Sequence, residues 1–347
     1  MYVKEIGSEF AAEKPEKIHT DMSWLPAGRD TALCFSGRTA IETALRNIPR
    51  KRKALLPAWC CQSMVQPFLD QGVAVSFYCV EAVADGVQLA LQIPEDCDVL
   101  LLCSYFGFRT EYPREQLAAF QDRGGVVIED ITHSLLSREQ HRAESDFLVA
   151  SLRKWGSLTD GGFCAGAREL AVKPGREPSQ LFLAEKQEAM TRKAAYLQGA
   201  DPDKAAYLAL FSQSNALLAE QYTDTRMSEP AVEMLKTWDV SQMRNIRRRN
   251  AQVLYAGLKN ISGLKPLFPQ EKMDCPLFVP VLVEGCRDAL RRHLIDRQVY
   301  CPVHWPAPQG ASSGIYEREL SLVCDQRYSA EDMERMIAAI GDFMKRS

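Results

Sequence analysis

Lys154 is the residue of this sequence whose position most suggests covalent chemistry. It follows an apolar run, residues 147–150, that predicts a short buried strand, and it precedes a turn that ends at Gly161-Gly162. An ammonium group is seldom buried without a partner, so packing alone explains this lysine poorly. A Schiff-base amine explains it better, because that amine must lose its proton, which desolvation or a neighbouring cation such as Arg153 favours. Taken alone, the residue is equally a surface lysine at a strand end.

A carboxylate and an imidazole follow a second apolar run. Asp130 directly follows residues 125–129, and His133 lies three positions later. The carboxylate either caps the next helix or sits against a protonated heterocyclic nitrogen, where the ion pair keeps both groups charged. His133 then faces the same pocket and can bond a ring substituent or Asp130, although a satisfied core histidine is the other interpretation.

Alternating strands and helices would bring these residues together. Strands are predicted over residues 53–57, 73–80, 98–106 and 125–130, with helices over 60–71 and 114–123. This pattern is typical of a parallel sheet covered on both faces, in which ligands bind beyond the carboxyl ends of the strands. We therefore expect Asp130 and Lys154 to point into one crevice.

An amphipathic helix begins near Ser36. Apolar residues recur at positions 41, 44, 45 and 48, Ser36 can cap the helix, and Gly37 permits close backbone approach. Such a helix start is either an anion site or a simple cap.

The rest of the chain predicts a divided molecule. Residues 1–30 form an arm, residues 31–235 a large domain and residues 236–347 a small α+β domain with a linker helix. Residues 170–200 are expected to be a loosely structured excursion, and residues 203–221 and 231–258 two long helices. Strands over 277–283 and 299–303 and helices over 287–297 and 329–345 complete the small domain, the last helix opening with a capping box, Ser329 to Asp332.

Composition excludes several classes of protein. The chain has 347 residues, a net charge of -3 and 46% hydrophobic residues, which gives no field for nucleic acid or an acidic membrane. The basic run at 244–249 is expected to be the solvated face of a helix. Eleven scattered cysteines favour reduced thiols in a cytoplasmic protein, no spacing predicts a metal site, and neither a signal peptide nor a membrane span is apparent.

Together these segments resemble the DegT-type sugar aminotransferases, which are fold type I pyridoxal-phosphate enzymes. The resemblance spans most of the chain. It rests on the segments Ser36-Gly-Arg-Thr-Ala40, Leu56-Pro-Ala-Trp59, Ser104-Tyr-Phe-Gly107, Glu129-Asp130, Lys154 ahead of Gly161-Gly162, the linker helix IRRRNAQVLYAGL, and Cys324-Asp-Gln-Arg-Tyr-Ser329.

The resemblance implies an α/β fold, with a mostly parallel sheet in a large α/β/α domain, and a pyridoxal 5'-phosphate site. Lys154 would form the internal aldimine and then act as general base, and Asp130 would hold the pyridine nitrogen. The remaining cofactor contacts it implies are Gly37, Arg38 and Thr39 at the phosphate, Ser151 as a further phosphate donor, Trp59 stacked on the ring, and His133 beside it.

The expected reaction moves an amino group, with glutamate as donor, to a keto-sugar or related carbonyl in a homodimer whose site lies at the subunit interface. Two other functions remain open. One is a different pyridoxal-phosphate reaction, such as a lyase or dehydratase, although retention of Lys154 argues against the family's dehydratases. The other is a degenerate, non-catalytic binding protein.

Overall fold

A computed structural model describes residues 4–14, 22–138, 144–311 and 314–346. The helices are α1 Gly37–Arg46, α2 Gln62–Asp70, α3 Arg114–Asp122, α4 Gln180–Leu197, α5 Lys204–Glu220, α6 Glu229–Leu235, α7 Val240–Leu258, α8 Arg287–Ile295 and α9 Ala330–Met344. The strands are β1 Ile6–Gly7, β2 Asp30–Cys34, β3 Lys53–Pro57, β4 Ala74–Val83, β5 Gly86–Ala90, β6 Val99–Cys103, β7 Val126–Asp130, β8 Phe147–Ser151, β9 Gly162–Gly166, β10 Leu264–Pro266, β11 Phe278–Val283, β12 Val299–Tyr300 and β13 Glu319–Val323. Of the predicted arm, residues 1–3 and 15–21 lie outside these ranges.

The large sheet contains eight of these strands in the order β2-β9-β8-β7-β6-β3-β4-β5. Strands β4, β3, β6, β7 and β8 pair in parallel, whereas β9 and β5 run antiparallel to their neighbours. The inner strand β6 is buried along its whole length, as its unbroken apolar sequence requires when both faces are covered. The mostly parallel sheet predicted from the sequence is confirmed, and β7 and β8 are neighbours whose carboxyl ends carry Asp130 and Lys154.

A second sheet of three antiparallel strands, β10-β11-β13, forms the core of the C-terminal part with helices α7, α8 and α9. The predicted capping box is present, since the Ser329 hydroxyl accepts from the Asp332 amide and the Asp332 carboxylate accepts from the Ser329 amide at 3.0 Å. Strand β12 is shorter than predicted. It pairs in parallel with β1, so the N-terminal segment is attached to the C-terminal part.

The expectation of a loose excursion over residues 170–200 was wrong, because residues 180–197 form helix α4. Ser179 caps the helix by accepting from the Phe182 amide. Two of the residues on its buried face are Lys186 and Lys193, each only 1% exposed. Lysines at inward positions interrupt the apolar periodicity from which an amphipathic helix is predicted.

The single helix predicted over residues 231–258 was also wrong, because it is divided into α6 and α7. Asp239 starts α7 by accepting from the Gln242 amide at 2.8 Å. The basic run on α7 is not simply a solvated face. Arg244 is buried and pairs with Asp274 at 2.9 Å, and Arg247 is fully buried, donating to main-chain carbonyls.

The inward lysines of α4 hold the N-terminal segment. The Lys186 ammonium lies 3.2 Å from a Glu9 carboxylate oxygen, whose other oxygen accepts from Asn215 of α5 at 3.0 Å. The Lys193 ammonium donates to the main-chain carbonyl of Glu9. Burial lowers the pKa of Lys186 to about 8, with Glu9 acting in the opposite direction. Residues 5–9 thus contact both the α4–α5 hairpin and the C-terminal part of the chain.

Three sequence expectations concern features of the whole chain. Among the described helices, none combines the length and apolarity that crossing a bilayer requires. All eleven cysteines are free thiols. Within the described ranges, no group of three or more metal-ligating side chains is arranged to hold an ion.

Gly162 lets β9 approach two main-chain carbonyls at the edge of the site. A Cβ atom there would lie 2.6 Å from the Ser36 oxygen and 2.7 Å from the Ala150 oxygen, closer than such contacts allow. The glycine at the start of β9 therefore determines how closely α1 packs against β8.

We expect Gly162→Ala to lower the free energy of unfolding by about 2 kcal/mol, because the backbone must move to admit the methyl group. Urea titration measures the change. Gly175→Ala is the matched control, since nothing lies within 4 Å of a Cβ at Gly175. Equal stabilities of the two variants would contradict this account of the packing.

Candidate active site

A cavity lies at the carboxyl ends of β6, β7 and β8. The residues lining it come from four parts of the chain: the start of α1, the segment before α2, the strand ends, and the loop after β12. They are Ser36, Gly37, Arg38, Ile41, Cys61, Ser63, Met64, Cys103, Ser104, Tyr105, Asp130, Thr132, His133, Ser151, Arg153, Lys154 and Trp305. The crevice expected from the sequence thus exists and contains both Asp130 and Lys154.

Lys154 ends a short 3-10 turn that directly follows β8. Its Nζ atom lies 3.5 Å from Nε2 of His133 and 5.9 Å from the centre of the Trp305 ring. The turn is fixed where the Leu152 amide donates to the Gly161 carbonyl at 3.0 Å and the Gly161 amide to the Phe35 carbonyl at 2.7 Å. The Gly161-Gly162 pair therefore positions the lysine by connecting its turn to β2.

Asp130 is buried beside this lysine. One carboxylate oxygen accepts from the Thr132 amide at 2.8 Å, and the Thr132 hydroxyl accepts from the Ser151 amide at 2.9 Å. Burial raises the pKa of Asp130, while Thr132 and Lys154 act in the opposite direction. These bonds join the ends of β7 and β8. A further cation that enters the cavity would stabilise the ionised form of the Asp130 carboxyl.

His133 is buried within an aromatic wall. Its ring centre lies 4.8 Å from Phe106, 5.1 Å from Trp305 and 5.2 Å from His304. Burial, followed by the nearby Lys154 and His304, lowers the pKa of His133 well below its ordinary value. The imidazole is therefore neutral near pH 7 and can exchange a proton with its neighbours.

The start of α1 forms the opposite end of the cavity. The Ser36 hydroxyl caps the helix by accepting from the Thr39 amide at 3.3 Å. A Cβ on Gly37 would lie 3.2 Å from the Cβ of Ser151, so the helix start and the end of β8 are in close contact. The unpaired amides of the first turn point where an anion would be stabilised.

Arg38 and Arg153 bring two unpaired guanidinium groups to this end of the cavity. Neither makes a hydrogen bond or ion pair with the described residues, and Nε of Arg153 is buried without a partner. Burial lowers the pKa of each guanidinium. Arg153 lowers the pKa of Arg38 further, while Glu9 and Asp160 act in the opposite direction on Arg153. Two cations beside a helix start leave a site that an anion would complete.

Two sequence-predicted site residues do not line the cavity. Thr39 is fully buried and donates to the Tyr222 carbonyl at 2.8 Å. Trp59 is also fully buried, with its ring stacked 4.7 Å from Tyr105 and its indole N–H donating to the His304 carbonyl at 2.8 Å. The predicted residues that the fold does bring together at the cavity are Gly37, Arg38, Asp130, His133, Ser151 and Lys154.

Sequence reasoning missed the aromatic part of the site. Trp305 and His304 come from a Pro-rich loop about 150 residues after Lys154, which the sequence placed only in the small domain. Tyr105 and Cys61 also line the cavity. Tyr105 lies within the segment Ser104 to Gly107 and Cys61 two residues after Trp59, but neither was predicted to be a site residue. A His-Trp pair within a Pro-rich loop was the one local signal, because such polar aromatics in a loop often mark a binding site.

Solved structures share this fold. Spr1654 from Streptococcus pneumoniae, described as the PLP form of a proposed sugar aminotransferase, is 13% identical with a TM-score of 0.68 over 99% of each chain. Helicobacter pylori PseC, an aminotransferase of pseudoaminic acid biosynthesis, is 14% identical with a TM-score of 0.64 over 99% of this chain and 100% of its own. A DegT DnrJ EryC1 StrS aminotransferase from Brucella abortus is 17% identical with a TM-score of 0.61, covering 91% and 87%.

The fold is that of these aminotransferases. The resemblance noted in the sequence is thereby confirmed at the level of architecture, including the expected α/β fold of type I. At identities of 13–17% the likeness establishes the fold and not the reaction. No family model matches the sequence, and a search of curated proteins finds no match.

We expect Arg153→Met to raise the free energy of unfolding by about 1 kcal/mol, because the Nε atom of this half-buried side chain is buried without a partner among the described residues. Inorganic phosphate should stabilise the wild type and have a much smaller effect on the variant. Urea titrations with and without phosphate measure both effects. Arg52→Met, at a side chain that is 75% exposed, is the control and should behave as wild type. Equal phosphate stabilisation of wild type and Arg153→Met would show that the anion binds elsewhere.

Proposed function

We propose that this protein is a pyridoxal-phosphate-dependent aminotransferase that moves an amino group, with glutamate as donor, to a keto-sugar or a related carbonyl compound. The observation that carries the proposal is the joint placement of Lys154 and Asp130 in one cavity that ends at two unpaired arginines and a helix start. Each part matches a different portion of a phosphorylated, aldehyde-bearing pyridine. The shared fold of the solved aminotransferases supports the same conclusion.

The phosphate end is formed by the chain's own donors. The main-chain amides at Gly37 and Arg38, the Ser151 hydroxyl and the guanidinium of Arg38 all adjoin one end of the cavity. A dianion there would pair with Arg38 and Arg153, whose charges have no other partner in the described chain. The orphaned Nε of Arg153 is the structural observation that fits this group most directly.

The ring end is formed by Asp130 and His133. A cationic ring nitrogen beside Asp130 would offset the burial that now raises the pKa of this carboxyl, and would keep it ionised. The neutral imidazole of His133 is placed to bond a polar ring substituent. Trp59 supports this end from behind Tyr105, since the Tyr105 hydroxyl donates to the Trp59 carbonyl at 2.9 Å.

When bound, the cofactor supplies an electron sink that stabilises a carbanion next to nitrogen. The chain's own part is to hold and move protons at the Nζ atom of Lys154, which His133 contacts at 3.5 Å. The aromatic rings of Phe106 and Trp305 keep water away from this contact. Binding, orientation and proton transfer are thus assigned to separate groups.

The substrates would enter by a larger cleft that shares Arg38, Arg153 and Lys154 with the cavity. Its other walls include Phe10 of the N-terminal segment and His304. A surplus of guanidinium groups suits anionic substrates, including the carboxylates of glutamate. Which carbonyl compound accepts the amino group is to be determined by screening acceptors against the loaded protein.

We also propose that the active form is a homodimer. Three large apolar side chains, Leu69, Leu181 and Leu208 on helices α2, α4 and α5, are each about half exposed. Light scattering is expected to give twice the chain mass, and a monomer at working concentration would contradict the dimer.

We expect Lys154→Ala to abolish covalent capture of the cofactor and to lower transamination by about 10³-fold, because the group that moves the proton is removed. Wild type loaded with pyridoxal phosphate should show a visible absorption band and retain the label after borohydride reduction and denaturation. The exposed Lys173→Ala is the control. A wild-type chain that takes up no cofactor, or a Lys154→Ala variant that still retains the reduced label, would overturn the proposal. A wild-type protein that binds the cofactor but transfers no amino group would favour a lyase or dehydratase reaction.

A further inference from the structure

Two fully buried polar residues, Glu319 and Ser321, lie behind His304 on the C-terminal side of the cleft. Glu319 and Ser321 lie two positions apart on β13, so their side chains share one face of the strand. His304 lies on the loop after β12 and also lines the cleft with Lys154. Glu319 and Ser321 are fully buried, and His304 is 7% exposed. Burial of a carboxyl without a contacting cation requires a specific reason.

The three side chains are joined by a continuous hydrogen-bond chain. One Glu319 oxygen accepts from the main-chain amide of His304 at 2.7 Å. The other Glu319 oxygen contacts the Ser321 hydroxyl, and that hydroxyl lies 2.8 Å from Nδ1 of His304. The positions of the hydrogens in the last two bonds depend on one another, because a serine hydroxyl has only one proton to donate.

The remaining nitrogen of His304, Nε2, makes no hydrogen bond with the described residues and is not sealed off from the cleft. The His304 ring centre lies 5.2 Å from His133, which contacts Lys154. His304 therefore presents one free nitrogen to the space in which the proposed substrate would react.

We propose that Glu319, Ser321 and His304 form a proton relay that determines whether Nε2 of His304 is a donor or an acceptor toward the substrate beside Lys154. With Glu319 protonated, the carboxyl donates to Ser321, Ser321 donates to Nδ1, and Nε2 carries the proton. With Glu319 ionised, Ser321 donates to the carboxylate, Nδ1–H donates to Ser321, and Nε2 is bare. Transfer of one proton from Nε2 to the substrate thus ends with one proton lost from Glu319, and the reverse sequence restores it.

The charges around Glu319 allow this exchange near neutral pH. Arg287 of α8 donates to the main-chain carbonyls of Glu319 and Tyr316 and pairs with Asp288, so its guanidinium does not pair with the Glu319 carboxylate. The other titratable neighbours are Cys301 and His304. Burial raises the pKa of Glu319 to about 8, with the His304 amide, Ser321 and Arg287 acting in the opposite direction. Burial and Lys154 lower the pKa of His304 well below its ordinary value, so the ring exchanges tautomers without becoming a cation.

The catalytic use of the relay depends on the proposed function, since amino transfer needs both proton removal and proton return at the substrate. His304 would be the catalytic residue, and Glu319 and Ser321 would be positioning residues that act through it. The tautomer itself is a property of the protein without substrate, so it can be tested separately from activity.

The test is ¹⁵N NMR of histidine side chains in the full chain, with His304→Gln identifying the His304 signals. In the wild type, His304 should change from the Nε2–H to the Nδ1–H tautomer as the pH rises through about 8. In Glu319→Gln, the amide oxygen must accept from the His304 amide, so its NH₂ donates to Ser321 and fixes the Nε2–H tautomer at every pH. Ser321→Ala should remove the pH response while leaving Glu319 in place.

A His304 tautomer that is constant from pH 6 to 9 in the wild type, or one that still switches with the same midpoint in Glu319→Gln, would overturn the relay. If Glu319→Gln does not fold, Ser321→Ala decides by the same measurement. In single-turnover amino transfer, the wild-type rate should change near pH 8 and the Glu319→Gln rate should not. A tautomer that switches in the wild type but not in Glu319→Gln, in a wild-type protein that transfers no amino group, would retain the relay and reject the proposed function instead.

Discussion

The close contact between the start of α1 and the end of β8 is the constraint on which the site depends. Gly37 and Ser151 are in close contact, and Gly162 lies against the carbonyls of Ser36 and Ala150. This contact brings unpaired helix amides to within reach of a lysine that follows a different strand. Because β7 is the parallel neighbour of β8, the same contact also places Asp130 in the cavity. One packing interaction therefore determines the distance between the anion-binding end and the proton-transfer end.

The electrostatics of the site are incomplete in the chain alone. Among the described residues, neither Arg38 nor Arg153 forms an ion pair, while burial raises the pKa of Asp130 and lowers that of His133. A ligand of complementary charge would stabilise the charged form of each of these groups. Such groups around one cavity are expected where stability is given up for binding.

The large sheet and the placement of Asp130 and Lys154 at one crevice could be predicted from the sequence, because both depend on local patterns. Apolar runs that end in Asp130 and at the turn of Lys154 indicate strand ends, and parallel topology brings such ends together. Helix α4 was missed because Lys186 and Lys193 occupy inward positions that a local pattern assigns to solvent. Trp59 was expected beside a ligand on the basis of a short motif alone, which does not specify the direction of the side chain. In the structure its ring is buried in the core. His304 and Trp305 could not be placed, because their contact with Lys154 spans about 150 residues and leaves no periodic signal.

The N-terminal segment connects parts of the chain that would otherwise meet only across the cleft. Glu9 is held by α4 and α5, β1 pairs with β12, and Phe10 forms part of the wall facing His304. Residues 7–10 pair with no strand of the large sheet, yet they line the cleft. Changes at Phe10 can therefore alter the shape of the cleft while Lys154 and its strand stay as they are. Divergence in proteins of this architecture can thus begin outside the sheet, at positions that line the cleft without belonging to the hydrophobic core.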